Sequence, residues 1–320
     1  MLDIQPVKST PHPSIHNCID DVIFSVALWL GRDCKYMYGN AWELSFTKQR
    51  LPGQPLIECV SIPQTSMEYL AAYHGINLRF VERDDPAMDR TFMLNLLETR
   101  LASGMPVLLG FDSYSCPWCK AYKRLHTSHA CLAIGLDRSG NKIYLMDAYY
   151  GRPIESLDFD YFEQSSHFYG LFTLCDEALL PIDRSNILRT TLTSTEEHVQ
   201  PSLVGEHIRA YADAYLETDM IISESPEYMF MRSMKIPISR ARYSIFLEAV
   251  SEELSLPALQ EISVRYQEAA EQWLFIHQWM IKCLSSGNKP SQRKKVHQKL
   301  FELAHLEEQL LHELADIAGL

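Results

Sequence analysis

The sequence predicts an α+β domain followed by an all-α domain. Three observations predict it. Helix-period patterns and then a cluster of short apolar runs occupy the first 180 residues. A polar, Thr- and Ser-rich stretch interrupts at 181–201, and nearly everything beyond repeats at helical spacing. The expected division is therefore 1–180 for the α+β domain, 181–201 for a linker and 202–320 for the helices.

Each element has a local reason. Ile19, Val22, Ile23, Val26, Ala27 and Leu30 recur at helical spacing and Gly31 stops the helix. Thr65 and Glu68 have capping-box spacing and open a second helix that ends near His74 and Gly75. Phe92 to Ala102 reads as a third. The strand runs are 106–111, 129–136 and 142–147, with a less regular one at 168–174. The C-terminal helices are 203–217, 239–254, 257–284 and 291–318; Pro257 suits a first turn, and 286–290 separates the last two.

Composition narrows the function classes. Apolar residues are 47% and charged ones 22%, enough apolar surface to bury real cores. No apolar run approaches the roughly 18 residues of a membrane span. A net charge of −12 argues against nucleic acid, which needs a basic footprint. The N-terminus lacks the charged-then-apolar pattern of a signal peptide, so a cytoplasmic location is expected. Eight cysteines thinly spread over 320 residues point to free thiols and not to a disulfide scaffold.

One of those cysteines has a chemical setting. Asn17 is a natural N-cap, which puts Cys18 at the first helical position. Unpaired backbone N–H groups and the positive end of the helix dipole there favour a thiolate, and the same N–H groups can stabilise an oxyanion. His129 begins a strand whose hairpin partner ends at Asp147. A three-residue turn over 138–140, with Gly140 in the left-handed position, pairs Asp137 with Asn141 and sets Asp147 opposite Cys131. Asp147 then lies diagonally beside His129 on one sheet face; a slip of one residue would send it to the other. Cys18 as nucleophile, His129 as base and Asp147 as orienter make a triad, in the chain order of papain-like enzymes.

On these residues the chain resembles the butirosin biosynthesis protein H family. The matching stretches are His16 to Cys18, Phe111 to Tyr114, His126 to His129 with Ala133 to Asp137, and Met146 to Tyr150. The resemblance covers roughly residues 10–180, with a looser similarity over the helical remainder. It implies a papain-like cysteine peptidase fold, here with an antiparallel sheet, adapted to acyl transfer. The implied reaction takes an acyl group from an acyl or peptidyl carrier-protein thioester through acyl-Cys18 to an amine on a small molecule, with no cofactor and no resident metal. Asp112 and Tyr114 would line the substrate site. After that tyrosine the family has an apolar residue and proline, whereas this chain reads Ser115, Cys116, Pro117, Trp118, Cys119.

Several residues carry competing readings. Water in place of the amine would make the same triad a peptidase, amidase or thioesterase. His126, in the loop before the strand, competes with His129 as base. His16 and Asn17 flank the nucleophile and would contribute to the pocket, and Gln64 could supply an oxyanion donor. Cys116 and Cys119 have glutaredoxin-like spacing without the βαβ frame that such a site needs. Cys116, Cys119, His126 and His129 could instead hold zinc, although their middle gap is short. Lys120, Lys123 and Arg124 form a basic patch suited to an acidic carrier. Trp273, Phe275, Trp279 and Met280 stripe one helix. Leu300, Leu303, Leu306, Leu310, Leu311, Leu314 and Ile317 stripe the last, offering a face for a homodimer.

Overall fold

Internal contacts divide the chain into two units, residues 1–34 with 67–181 and residues 35–66 with 182–320. The computed structural model describes residues 1–12, 14–49, 54–63, 65–82, 89–175, 184–193, 200–217, 231–287 and 289–320. In chain order the first elements are α1 (Cys18–Trp29), β1 (Ser45–Phe46), β2 (Val60–Ser61), α2 (Met67–His74), β3 (Ile76–Glu82) and α3 (Arg90–Ala102). Then come β4 (Val107–Asp112), β5 (Ser128–Asp137), β6 (Lys142–Asp147), β7 (Arg152–Asp158), α4 (Phe159–Ser165) and β8 (Ser166–Leu174). The helices α5 (Ile187–Thr193), α6 (Val204–Glu217), α7 (Lys235–Leu254), α8 (Pro257–Ser285) and α9 (Pro290–Ala318) follow among the described residues.

The first unit is α+β. Its six strands lie in the order β3-β8-β4-β5-β6-β7, and every neighbouring pair is antiparallel. Val107, Leu109 and Phe111 of β4 share a face by period two with Cys131 and Ala133 of β5. Against them pack Met93 and Leu97 of α3 and Phe159 and Phe162 of α4, all buried. α1 also packs on β5. Two strands escape the sequence patterns. In β3, buried Ile76 and Leu78 alternate with exposed Asn77 and Arg79, a short period-two signal. β7 is polar, largely exposed and contains Pro153, which an edge strand tolerates because one row of N–H groups faces outward.

The β5–β6 hairpin differs from expectation in an instructive way. Asp137 pairs with Lys142, not Asn141, so the turn spans four residues, 138–141. Asn141 (φ 53°), not Gly140, takes the left-handed conformation. That slip alone would put Asp147 on the wrong face. A bulge between Ala133 and Gly135 adds one residue to β5, and beyond it Leu132 pairs with Met146. Continuing that register sets Cys131 opposite Asp147. The bulge cancels the slip.

The second unit is helical, and it includes 35–66 as well as the C-terminal helices. Buried Trp42 donates its Nε1–H to the Thr191 carbonyl at 3.2 Å. The Ala41 carbonyl accepts from the Ser239 hydroxyl and from Arg240 Nη1. Such satisfied buried groups tie the early segment to α5 and α7. Within the stretch expected as a linker, α5 buries Ile187, Leu188 and Leu192; 181–183 and 194–199 lie outside the described residues.

The polar centre of this unit is a fully buried ion pair. Arg240 Nη2 donates to Glu307 Oε2 at 2.6 Å and Nε to Oε1 at 2.9 Å, while Trp273 Nε1 donates to Oε1 at 2.6 Å. The leucine stripe of α9 is spent inside the unit. Leu300, Leu303, Leu310, Leu311 and Leu314 are buried in a helix that packs on α6 and α8, leaving only Leu306 and Ile317 of the stripe partly accessible. The stripe is therefore no free face for a homodimer. The α8 stripe splits: Trp273 and Met280 are core, whereas Phe275 is exposed. No helix among the described residues is long and apolar enough to cross a membrane.

Candidate active site

α1 begins at Cys18. Asn17, in extended conformation, caps it by accepting the Asp20 N–H on Oδ1 at 2.8 Å. Cys18 is thus the first helical residue, partly accessible, among the orphan N–H groups of the first turn. Asp21, fully buried one turn on, organises the approach to the helix. It accepts from Ser9 N and Oγ at 2.8 and 2.6 Å and pairs with His16 Nδ1 at 2.7 Å. His16 therefore faces its own carboxylate, an arrangement that no local pattern announces.

At the start of β5, His129 Nε2 lies 2.8 Å from Asp147 Oδ2. Trp118 Nε1 donates to the same oxygen at 2.6 Å, and the Tyr150 backbone N–H donates to Oδ1 at 3.1 Å. Burial opposes charge on Asp147, but its bonds from His129, Trp118 and Tyr150 outweigh burial and hold its pKa below the usual carboxylate value. Burial also opposes an imidazolium at His129. The acidic groups around it, Cys131 first and then Asp147 and Cys119, prevail and raise its pKa well above the ordinary histidine value. With Nε2 committed to Asp147, Nδ1 is the nitrogen left for proton transfer.

Among the described residues, Cys18 and His129 share no hydrogen bond; the side-chain hydrogen bond of His129 goes to Asp147. Tyr149 links the two halves. Its ring lies 4.6 Å from the His16 ring and 5.8 Å from the His129 ring. Burial raises the Tyr149 phenol, and the nearby Cys18 charge raises it further. Sequence patterns give Tyr149, Trp118 and Asp21 no role in the chemistry. Tyr149 carries one signal, its place two residues beyond Asp147.

The remaining candidates divide into groups. Asp112 accepts the Tyr114 N–H at 3.0 Å and pairs with His126 Nδ1 at 2.5 Å. The His126 ring stacks on Tyr114, centroids 4.3 Å apart and 9° from parallel. These three form one largely exposed cluster at the end of β4 and on the loop between β4 and β5. Lys120, Lys123 and Arg124 on the same loop are exposed and make no salt bridge among the described residues. Gln64 lies outside the described residues.

Buried Cys116 and Cys119 offer donor atoms within 4.8 Å of each other and of an Asp147 oxygen; His129 and Cys131 do likewise around the same carboxylate. The rival zinc set, Cys116, Cys119, His126 and His129, is not assembled among the described residues, and His126 pairs with Asp112. Asp147 already spends its oxygens on three hydrogen bonds, which a metal would have to displace.

No curated protein matches the chain. The model of one family, described as butirosin biosynthesis protein H, N-terminal, matches residues 23–148. His129, Asp147, Asp112, Tyr114 and the cysteine pair fall inside that stretch, and His16, Asn17 and Cys18 precede it. Over residues 23–148 this chain is therefore similar to the N-terminal region of butirosin biosynthesis protein H.

Proposed function

We propose that the chain is a biosynthetic acyltransferase of papain-like architecture that works through acyl-Cys18. The observation that carries this reading is the buried His129–Asp147 pair, an imidazole aligned by a carboxylate whose every oxygen is occupied. Cys18 supports it from the other side, as an accessible thiol at the capped N-terminus of α1, which packs on the strand carrying His129.

In the proposed reaction the Cys18 thiolate attacks the carbonyl carbon of a carrier-bound thioester. The first-turn N–H groups of α1 stabilise the oxyanion. The carrier C–S bond breaks and the departing thiolate takes the proton held on His129. An amine then attacks acyl-Cys18, gives its proton to His129, and expels the Cys18 thiolate as the amide forms. Lys120, Lys123 and Arg124, exposed and free of ion pairs among the described residues, suit an acidic acyl or peptidyl carrier. The Asp112–Tyr114–His126 cluster suits a polar acceptor. The match to a butirosin biosynthesis family supports a role in antibiotic biosynthesis.

The test is intact mass spectrometry of the native protein with an acyl-carrier donor. The expected result is a single acyl adduct that is absent in Cys18→Ala and is discharged faster when amines are added. An adduct that persists in Cys18→Ala overturns the nucleophile. Discharge indifferent to amine would make the same triad a hydrolase.

A further inference from the structure

Cys116 and Cys119 are left unused by that mechanism, and the fold places them against its base. Pro117 and Trp118 fill the centre of a turn closed by the Cys119 N–H on the Cys116 carbonyl at 3.0 Å. Such a turn brings its end Cα atoms within about 7 Å, against the roughly 4.4–6.8 Å that a disulfide spans. Proline at the second position presets the backbone, so little rearrangement is needed. The two sulfurs already lie within 4.8 Å of each other. Both sulfurs also lie within 4.8 Å of an oxygen of Asp147, the carboxylate that pairs with His129.

We propose that Cys116 and Cys119 are a redox-active dithiol that reacts with hydroperoxides, and that its oxidation alters the surroundings of the Asp147–His129 pair. The hydrogen bond from Cys116 and the adjacent His129 lower the Cys119 thiol to about 6 against the effect of burial, whereas Cys116 is pushed up. Cys119, slightly accessible where Cys116 is fully buried, is the attacking sulfur and Cys116 the resolving one.

The chemistry balances. The Cys119 thiolate attacks one oxygen of the peroxide; an S–O bond forms, the O–O bond breaks, and hydroxide leaves to become water. Cys116 then attacks the sulfenic sulfur; the S–S bond forms, the S–O bond breaks, and a second water leaves with the Cys116 proton. Two thiols are oxidised and one hydrogen peroxide is reduced to two waters. The disulfide removes the charge of the Cys119 thiolate from the surroundings of His129, whose hydrogen bond to Asp147 remains. A resulting effect on acyl transfer rests on the proposed function; the thiol chemistry does not.

The experiment treats the full chain with hydrogen peroxide, quenches, alkylates under denaturing conditions and digests with trypsin. Cys116 and Cys119 then share one peptide, 101–120, and Cys18 lies in another, 9–32. The expected product is peptide 101–120 lighter by about 2 Da and blocked to alkylation until a dithiol reductant is added. It should form about tenfold or more faster than buried Cys34 is modified, because the lowered Cys119 pKa favours its thiolate. Cys116→Ser should instead leave a sulfenic acid on Cys119 that dimedone captures. The His129 ring, followed by NMR titration, should titrate lower after peroxide in the wild type and be unmoved by peroxide in Cys119→Ala. Full alkylation of both cysteines after peroxide, or no dimedone adduct in Cys116→Ser, overturns the proposal whatever acyl transfer does.

Discussion

His129 Nε2 and Asp147 Oδ2 lie 2.8 Å apart because two offsets in the β5–β6 hairpin cancel. At the turn, Asp137 pairs with Lys142, which moves β6 one step along β5. At Ile134 the bulge absorbs one residue of β5, and the pairing of Leu132 with Met146 restores the step. Only then do the imidazole and the carboxylate share a face.

Asp147 should therefore govern the imidazole more than the fold. Asp147→Asn retains an acceptor for the Tyr150 N–H but removes the charge that favours the imidazolium and the bond that fixes the tautomer. The rate of acyl-Cys18 formation should fall by about 10³- to 10⁴-fold. The His129 ring should also titrate lower by NMR. An unchanged titration would show that Asp147 does not hold the ring.

Tyr149 should act through its ring. Tyr149→Phe keeps the contacts with His16 and His129, whereas Tyr149→Ala removes them. The alanine variant should lose about 10- to 100-fold in acyl-Cys18 formation through misplacement, and the phenylalanine variant far less. Equal losses in both would assign the effect to the hydroxyl.

The buried Arg240–Glu307 pair should be costly to break from one side. Arg240→Met leaves the Glu307 charge buried and should cost about 3–5 kcal/mol in urea unfolding. Adding Glu307→Leu removes that charge and should recover part of the loss. Full recovery is not expected, because Trp273 Nε1 then loses its acceptor. A double variant less stable than the single one would contradict this account.

His277 should set part of the acid sensitivity. Both its ring nitrogens are buried without partners among the described residues, and burial, aided by the Lys235 charge, lowers its pKa to about 3. The unfolded chain takes up that proton near pH 6.5 and the folded chain does not. The contribution to stability is therefore complete above about pH 6.5 and is lost as pH falls toward about 3. Relative to His277→Phe, the wild type should lose about 2 kcal/mol between about pH 7 and pH 5. A difference that does not change with pH would refute the assignment.

Much of the site is legible in the sequence because its cues are local. The Asn17 cap, the Cys18 helix start and the strand of His129 follow from spacing within a few residues. Asp147 reaches the expected face through a turn that differs from the expected one, since the bulge that corrects it has no strong sequence mark. His126 and His129 each pair with a carboxylate, Asp112 and Asp147, and differ in that His129 is buried and His126 exposed. The polar edge strand β7 and the attachment of 35–66 to the helices leave no periodic pattern to find.

By itself, the sequence determined the α+β character, the helical C-terminal half and the capped thiol at the head of α1, because helical period, capping and strand alternation act over a few residues. Only the tertiary structure decided that Tyr149 stands between His16 and His129, that Cys116 and Cys119 lie beside the Asp147 carboxylate, and that the leucine stripe of α9 is consumed within its own unit. Those outcomes depend on contacts between residues far apart in the chain, which are set when the elements pack and not when they form.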